Sequence, residues 1–589
     1  MPLAARRTRL ALAALAAAVA WASAIAAYRV SARITFTRDI APIGFANCTP
    51  CHRPGQSGPF ELIEYADYRE HAQDIADLVE ERRMPPWQPS DRNGTFVGQR
   101  SLSVEQIQLI RRWVDDGMHE GSASDLPPRP VWPKDWQLGT PDAVLRLDVP
   151  YELAAAGPDE YRSFVIAAPV VRQKYVVGWE FKAEGRAIHH AILKIDRMGN
   201  ARRADAADPG PGFSGMDFDG AQAPDGFYLV WAPGKSPKRV TDGTAWRIDP
   251  RSDLVLDLHM RRTGKVERVQ PQIALFFSDV PPSERRYSVR IGDPPIDIAP
   301  GEKNYRIADS YTLPADVHLL GIFPHAHYRA KTMRIFSRLP DGKQRELLQI
   351  PDWDFAWQDE YTFVTPPLLP KGSTLQMEFS YDNSASNLRN PQRPPQRVRG
   401  GFQSTDEMGN ATFQAMPVRR EELDLLLTSK YERQLARSPN AEAHYNLANS
   451  LARRGQSAQA SDHYRQALAL DPSLAVAHVN LAGLLIAGAQ FAAAIPHLEA
   501  GLELRADDSD ARLALGQALL HVGRYADAVA QYERVLAANQ LDARAHVMLA
   551  DAMREHGESA FARQHYEQAL RVLPDWPPAR TGLALLAVP

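Results

Sequence analysis

The chain has 589 residues, which is long enough for several domains, and a net charge of −3 from 68 basic and 71 acidic residues. This balance excludes the basic surface that nucleic-acid binding requires, so no nucleic-acid partner is expected. Only two cysteines occur, which excludes a disulfide framework and leaves core packing to hold the domains together.

The N-terminus joins a basic start, MPLAARRTR, to an uncharged, mostly apolar run from Leu10 to Ala27. Alternating alanines near its end offer A-x-A cleavage sites, so residues 1–30 are typical of an export signal. The run is also just long enough to form a spanning helix, and an uncleaved inner-membrane anchor is the alternative. Either way, the rest of the chain is expected in the periplasm or otherwise outside the cytoplasm.

Both cysteines lie in the six-residue stretch NCTPCH. The spacing Cys48-x-x-Cys51-His52 is typical of covalent c-type haem attachment, in which the thiols bond the porphyrin and the imidazole binds the iron. A thioredoxin-type dithiol is the alternative, but that motif belongs near a βαβ pattern, and none is visible here. Structural zinc would need three or four such ligands, and this stretch offers two thiols and one imidazole.

Residues 36–121 carry helical patterns and resemble a small, all-α, class I-like cytochrome c domain. Met84 follows a predicted helix and precedes two prolines, which end the helix and fix the loop. We therefore predict that Met84 is the sixth haem ligand, where a thioether would raise the reduction potential. Met118 and His71 are the alternatives.

A proline-rich segment at 122–139 predicts a semi-rigid linker. Beyond it, short strand-like runs separated by turn residues predict two β-sandwich domains, 140–285 and 286–420. Within the second domain, the aromatic and acidic stretch 351–361 and the turn-rich stretch 381–395 either line a groove or are an ordinary strand and a solvated loop.

Five of the six histidines between residues 140 and 420 fall in the motifs AIHHAIL, LVLDLHM and FPHAH. In chain order these histidines are His189, His190, His259, His325 and His327. Adjacent residues of a strand face opposite sides, so the HH pair can bind one ion only at a strand end or a twist. The last two are two apart and share a strand face, which suits chelation. Further on, STDEMGN contributes Met408.

The order HH, LxH, HxH and DEMxN resembles the copper type II, ascorbate-dependent monooxygenases, which include peptidylglycine α-hydroxylating and dopamine β-monooxygenases. The resemblance spans about residues 140–420 and implies two jelly-roll-like sandwiches with two copper sites. The implied electron-transfer copper is held by His189, His190 and His259. The implied oxygen-binding copper, where a substrate C–H bond is attacked, is held by His325, His327 and Met408.

This chemistry is coherent, because imidazole suits copper in both oxidation states and a thioether favours Cu(I). Hydroxylation by O2 needs two electrons from outside the substrate, and two one-electron coppers can store them. We expect the haem to relay these electrons, replacing or supplementing ascorbate. His318 matches no family position and is expected to be structural.

Departures from the family pattern bear on the substrate. Where the peptide-amidating enzyme has an arginine two residues before its HxH pair, this chain has Phe323, and Thr412 stands where that enzyme has a tyrosine. Asn410 does match. An arginine fork reads a carboxylate, whereas phenylalanine offers only apolar area, so a glycine-extended peptide is not the expected substrate. The cysteines of the family's disulfides are absent as well.

From 421 to 589 the sequence resembles tetratricopeptide repeats that follow one another in unbroken register. The predicted repeats are 441–474, 475–508, 509–542 and 543–576, followed by a capping helix. Such a solenoid offers a concave surface to a protein partner. Histidines recur at one repeat position and are expected to be packing features rather than metal ligands; these are His444, His478 and His546.

The expected function is that of an oxidoreductase that inserts one oxygen atom from O2 into a C–H bond of an unidentified substrate. A non-catalytic haem and copper electron-transfer protein, docked to a partner through its repeats, is the alternative. A scaffold whose copper site has decayed is a third. Met408 favours the first, because electron transfer alone needs no oxygen-facing copper.

Overall fold

The computed structural model describes residues 33–587 except 55, 57, 91–95, 134, 217 and 219. The predicted export segment, 1–30, lies outside the described residues. Within the described part, no helix combines the length and the apolar character needed to cross a bilayer. A small helical unit, two sheet-rich regions and a helical solenoid follow one another along the chain.

The helical unit is built around Trp113, which is fully buried. Its helices are a π-helix, Phe36–Ile40, and the α-helices Ala41–Asn47, Tyr65–Glu70, Ala72–Glu80 and Val104–Asp115. The helix predicted to precede Met84 is interrupted at His71, whose backbone leaves the helical range. The last helix starts at a capping box formed by Ser103 and Gln106, and its apolar stripe packs into the core of the unit.

The proline-rich segment ends in a packed residue rather than a free chain. It contains one short 3-10 helix, Ala123–Asp125. Trp136 packs against Ala274 and Phe276 of the first sheet-rich region, with the Lys182 ammonium over its ring at 4.0 Å. The segment is therefore anchored at the point where the sheets begin.

The first sheet-rich region has two sheets facing each other. One pairs Ala143–Arg146, Gln272–Ser278, Lys174–Lys182 and Lys238–Arg239, with Trp246–Ile248 also against Lys174–Lys182. The other runs Phe213–Ser214, Glu160–Ala167, Asp253–Met260, Ile188–Asp196 and Leu229–Trp231. A separate pair joins Tyr151–Leu153 to Glu267–Val269, and one helix is Asn200–Ala207. Leu254, Leu256 and Leu258 point into the shared core, so His259 lies on the outer face of its sheet.

The second sheet-rich region repeats this two-layer arrangement. One sheet runs Tyr287–Gly292, Gly409–Pro417, Val317–Ala326 and Tyr361–Thr362, with Leu368–Leu369 also against Val317–Ala326. The other runs Tyr305–Thr312, Thr374–Tyr381, Ala330–Arg338 and Gln344–Ile350, and a small pair joins Asp297–Ile298 to Val398–Arg399. Alternate residues of Gly409–Pro417 enter the core at Ala411 and Phe413, which leaves Asn410 and Thr412 on the outer face.

The two sheet-rich regions meet through these outer faces. Tyr228 of the first packs on Phe323 of the second with ring centroids 4.9 Å apart, and its N–H donates to the side chain of Gln414 at 3.0 Å. Lys235 and Glu360 form an ion pair across the same contact at 3.0 Å. Side chains on the outer faces are thereby enclosed between the two regions.

The C-terminal helices form the predicted solenoid. They are Leu423–Arg437, Ala441–Arg453, Ser457–Leu470, Ala475–Ala487, Phe491–Leu504, Ser509–His521, Tyr525–Ala538, Ala543–Glu555, Ser559–Val572 and Pro577–Leu585. The small residues of the repeat pattern are buried where paired helices touch. At Gly516, for example, a Cβ would lie 2.4 Å from the ring of Tyr532. The C-terminal helical solenoid predicted from the sequence is confirmed.

The solenoid is docked on both sheet-rich regions. Met198 of the first packs into the core of the repeats, and Arg505 donates to the carbonyl of Arg197 at 3.0 Å. Arg437 pairs with Asp309 of the second region at 2.9 Å. Part of the solenoid surface is therefore covered by the chain's own sheets.

Candidate functional site

Three histidines converge on the outer face of the first region because of a β-bulge. In the ladder between Asp253–Met260 and Ile188–Asp196, His259 pairs with His190 and Met260 pairs with Ile188. His189 is the extra residue, and a bulge of this kind re-aims a side chain that regular alternation would send to the other face. His189 and His190, which are neighbours on one strand, therefore lie on the same face as His259.

The ring nitrogens of this triad lie at the spacing of metal ligands. The Nδ1 of His259 is 3.2 Å from the Nδ1 of His189 and 3.1 Å from the Nε2 of His190. Two nitrogens bound at 2.0–2.1 Å to one tetrahedral ion lie roughly 3.3 Å apart. The remaining nitrogens, Nε2 of His189 and Nδ1 of His190, are buried without a hydrogen-bond partner among the described residues. A cation bound by the three lone pairs fits this donor set.

The orientation of His259 is fixed by contacts from both regions. Its Nε2 lies 2.8 Å from a carboxylate oxygen of Asp159, which only accepts, so Nε2 carries the proton and Nδ1 keeps its lone pair. Tyr161 stacks on the ring at 4.4 Å, and Ser404 of the second region donates to Asp159 at 3.2 Å. A metal-binding histidine commonly has such a carboxylate behind it.

Burial keeps these imidazoles neutral. It lowers the pKa of His189 to about 3 and holds the pKa of His190 well below its usual value. Burial also lowers the pKa of His259, against the opposing effect of Asp159. The pKa of His327 lies well below its usual value for the same reason. Neutral rings are the form in which histidine binds a metal ion.

The second cluster is assembled by one strand pairing. Strands Val317–Ala326 and Gly409–Pro417 are antiparallel, with His325 opposite Asn410. This register brings Met408, which precedes the second strand, beside His325 and His327 in one pocket. His318 lies near the other end of its strand, opposite Met416, and outside this pocket. The HxH and DEMxN motifs are therefore spatial neighbours.

Hydrogen bonds orient the two rings of the second cluster. The Nδ1 of His325 lies 2.5 Å from the side-chain oxygen of Gln358, and the Nδ1 of His327 lies 3.3 Å from the carbonyl of Asp406. Glu407 accepts from the N–H groups of His327 at 2.5 Å and Arg329 at 3.0 Å. Burial is the main cause that raises the pKa of Glu407 to about 7. This carboxyl therefore joins the two motifs through the backbone.

Phe355 lies between the two clusters. Its ring centroid is 5.4 Å from that of His189 and 5.3 Å from that of His327. A pocket of about 60 Å³ reaches both clusters, touching His190 on one side and Met408 on the other.

The three residues expected near a substrate are only partly at this pocket. Phe323 and Asn410 line it. Thr412 is buried on the same outer face, paired with Phe323, but it does not line the pocket.

Backbone hydrogen bonds hold the cysteine motif in a compact turn. Cys51 and His52 donate their N–H groups to the carbonyl of Cys48 at 3.1 and 3.0 Å, so all three side chains leave one tight turn. The Nδ1 of His52 donates to the carbonyl of Phe60 at 3.1 Å, which leaves Nε2 for a metal. Burial raises the pKa of the Cys48 thiol to about 12, with a further effect of Cys51. A thioredoxin-type dithiol has the opposite property, a lowered pKa.

The three candidates for a sixth haem ligand lie in different surroundings. Phe60 stacks on His71 at 3.7 Å and contacts His52 at 4.9 Å, so His71 lies on the same side of the unit as the motif. Met118 packs against the core of the unit. Met84 is half-buried and starts the segment that leaves the unit toward the second sheet-rich region. Ligation by Met84 stays a prediction.

That segment connects the helical unit to the histidine site. Gln88 donates to the carbonyls of Asp354 and Trp357 and accepts from the N–H of Asp354 at 2.6 Å. Trp87 packs edge-on against Tyr361 at 5.5 Å. These contacts hold the loop that carries Phe355 and Gln358, which touch the two histidine clusters.

Sequence reasoning missed several residues that shape the site. They are Asp159, Tyr161, Gln358, Ser404, Glu407 and Arg290, which lines the pocket from strand Tyr287–Gly292. They come from four separate stretches, 159–161, 290, 358 and 404–407, and no spacing rule links these stretches to the histidines. The aromatic stretch 351–361, for which two interpretations were open, supplies Phe355 and therefore lines the site.

Family models of the tetratricopeptide repeat match residues 441–474 and 485–552. Among solved structures, the chain is similar to MamA (21% identity, 26% of this chain and 91% of that chain, TM-score 0.25) and to YrrB, described as a TPR protein with an unusual peptide-binding site (22%, 26% and 80%, TM-score 0.25). A MamA fragment from Desulfovibrio magneticus RS-1 is also similar (18%, 27% and 87%, TM-score 0.25). No curated protein matches the chain. The C-terminal part thus consists of tetratricopeptide repeats, a class of repeat used for protein–protein interaction.

Proposed function

We propose that this chain is an exported, copper-dependent monooxygenase that hydroxylates a C–H bond of its substrate with O2, and that a c-type haem in the helical unit relays the electrons. One observation carries the proposal. Three histidine nitrogens at 3.1 and 3.2 Å face a second cluster, with His325, His327 and Met408, across the single ring of Phe355.

The donor sets suit two copper ions with different tasks. Copper at these clusters would supply one-electron redox chemistry and, on the methionine side, O2 activation. An all-imidazole triad is compatible with both oxidation states, whereas the thioether of Met408 favours Cu(I). Asp159 holds the proton of His259 on Nε2, and Glu407 fixes the backbone that carries His327. The protein contributes neutral ligands, fixed orientations and a site enclosed between two sheets.

The pocket favours a small, apolar reacting group. Its volume of about 60 Å³ admits only part of a substrate, and Phe323, Phe355 and Tyr228 provide aromatic walls. Arg290 also lines the pocket, and Asp293 pairs with it at 2.8 Å. A peptide carboxylate therefore does not find the position-specific arginine that the amidating enzyme uses, and the substrate class is expected to differ.

The remaining parts of the chain supply electrons, dock a partner and direct the protein out of the cytoplasm. The residues around Cys48, Cys51 and His52 fit a covalently attached haem, with Met84 as the proposed sixth ligand. The reductant that feeds it is a one-electron donor such as ascorbate or a redox protein, and the repeats dock a protein partner. Residues 1–30 direct export or tether the chain to the inner membrane.

The test is the copper content per haem of the full chain, matured with haem and loaded with copper. We expect two coppers per haem, falling to one in Met408→Ala and in His325→Ala. His318→Ala is the matched control, because this half-buried histidine lies on the same strand as His325 but outside the pocket, and it should retain both coppers.

A chain that binds one copper or none would contradict the oxygenase proposal. It would instead favour the non-catalytic electron-transfer protein, since electron transfer needs no second ion. Two coppers in Met408→Ala together with unchanged reoxidation of the reduced protein by O2 would remove Met408 from the oxygen site.

A further inference from the structure

The helical unit touches the first sheet-rich region directly at the cysteine motif. At Gly234 the backbone φ is +85°, and a Cβ added there would lie 3.1 Å from the Sγ of Cys51 and 3.4 Å from the guanidinium of Arg100. Any side chain at this position would press on the cysteine. The loop 232–235 thus lies against the sulfur to which a haem edge would be bonded.

Arg100 fixes this contact from the helical unit. Its guanidinium donates to the carbonyl of Gly234 at 2.9 Å and pairs with Asp359 of the second sheet-rich region at 2.9 Å. Both charged groups are largely buried, with side-chain exposures of 24% and 20%. One residue of the unit therefore clamps a loop from each sheet-rich region beside the motif.

A cleft opens next to this contact. Its volume is about 950 Å³, and it is lined on the helical side by Arg53 and Gln56, which follow the cysteine motif. On the sheet side it is lined by Trp179, Trp231 and Lys238. Aromatic area with basic side chains at the edge is the chemistry that a flat macrocycle with two carboxylates requires.

We infer that the loop 232–235 is the second wall of the haem site, so that the haem is shared between the helical unit and the first sheet-rich region, with Gly234 keeping room for its edge at Cys51. This inference rests on the proposed haem. It adds two positioning residues, Gly234 and Arg100, that the attachment motif does not contain.

The loop 232–235 is also connected to the histidine triad through the strand that precedes it. Loop 232–235 continues strand Leu229–Trp231, in which Trp231 pairs with Ala191, the neighbour of His190 in the adjacent strand. The haem-facing loop is therefore one ladder pair away from a histidine of the triad. No separate docking event is needed to bring the two redox sites together.

The experiment compares Gly234→Ala with Gly264→Ala in the full, haem-loaded chain. Both glycines have φ of +85° in the first sheet-rich region, so both substitutions impose the same backbone strain, but no atom of the described residues lies within 4 Å of a Cβ at Gly264. We expect Gly234→Ala to keep its covalent haem, as read from the spectrum of the unfolded protein. In the folded protein, however, the haem midpoint potential should fall and its reduction by ascorbate should change severalfold in rate, because solvent exposure and local contacts tune the potential. Gly264→Ala should match the unsubstituted chain.

Arg100→Gln is the second variant, since it removes the clamp without changing the backbone of the loop, and it should shift the potential in the same direction by less. Equal potentials in Gly234→Ala, Arg100→Gln and Gly264→Ala would overturn the shared haem site while leaving the haem itself in place. Absence of covalent haem from the unsubstituted chain would instead refute the proposed haem function.

Discussion

The protein contains two kinds of histidine cluster with nearly the same nitrogen spacing. In the triad, the nitrogens of His189, His190 and His259 are 3.1 and 3.2 Å apart. In the solenoid, histidines of the two helices of a repeat face each other through Nδ1 atoms at 2.9 to 3.0 Å; the pairs are His444 with His463, His478 with His497, and His546 with His565. Distance alone therefore does not identify a metal site.

The surroundings of the solenoid pairs show that each short Nδ1–Nδ1 contact is a hydrogen bond. The Nε2 of His478 donates to the carbonyl of Pro472 at 3.2 Å, which leaves its Nδ1 to accept from His497. In the third repeat, Arg512 and Gln531 stand at the positions of the two histidines. Arg512 joins the two corresponding helices, because it donates to the carbonyl of Ala506 and to the side-chain oxygen of Gln531. A position that accepts arginine serves to join helices, whereas in the triad the Nδ1 of His259 keeps its lone pair and lies beside nitrogens of two other histidines at once.

Removing one imidazole from each cluster tests whether the triad binds copper and the solenoid pairs do not. His259→Ala should abolish copper binding at the triad, a larger loss than the roughly 10- to 100-fold weakening that removal of a supporting residue causes. His478→Ala should leave the copper content unchanged. Elemental analysis and copper titration of both variants measure the difference. Equal copper loss in both would mean that the solenoid pairs bind metal as well.

Asp159→Asn tests the residue behind the triad. We expect copper affinity to fall by roughly 10- to 100-fold, because the amide no longer holds the proton on Nε2 of His259. Ser404→Ala removes only the 3.2 Å hydrogen bond to the same carboxylate and is the matched, weaker change. Competition with a copper chelator measures both affinities. An unchanged affinity in Asp159→Asn would show that the ring orientation is set by packing alone.

Acid should loosen the solenoid pairs. Burial lowers the pKa of His444, His463, His497 and His565, with a further contribution from the paired histidine in all but His463. Asp462 and Glu432 act on His463 in the opposite direction, and Arg465 lowers the pKa of His497 further. A lowered folded-state pKa means that the stabilisation is present above the unfolded value of about 6.5 and is lost as pH falls below it.

Hydrogen–deuterium exchange of the full chain measures this effect, with the third repeat as internal reference. Between pH 7.5 and 5, protection of the helices of repeats one, two and four should fall relative to repeat three. The double variant His478→Arg/His497→Gln copies the third repeat and should abolish the pH effect in repeat two. Parallel loss in all four repeats would remove the histidine pairs as the cause.

The two clusters also differ in how far the sequence predicts them. The solenoid follows from a local period, so its register could be derived from positions such as Ala448 and Ala460, whose equivalents recur once in each repeat and which are buried. The strand-like runs likewise indicated two sheet-rich regions. These features depend on neighbours close in the chain.

The triad could be predicted only as a set of candidates. Sequence alternation places His189 and His190 on opposite faces, and the bulge that unites them arises from pairing with strand Asp253–Met260, which lies far along the chain. Asp159 and Phe355 join the site through contacts between regions, and single residues of this kind carry no periodic signal. The register opposite His325 likewise depends on a strand that is distant in sequence, Gly409–Pro417.

The smallest expected effect comes from the helical unit. Gln88→Ala removes hydrogen bonds that hold the loop of Phe355 and Gln358, each with a net value of about 1 kcal/mol. We expect faster hydrogen–deuterium exchange of residues 351–361 and a modest change in the spectrum of bound copper, while the solenoid pairs stay as they are. Gln99→Ala is the control, because that exposed side chain bonds only Ser101, at 2.8 Å, in the described part of the chain. An unchanged exchange rate in Gln88→Ala would mean that the two sheet-rich regions position Phe355 without help from the helical unit.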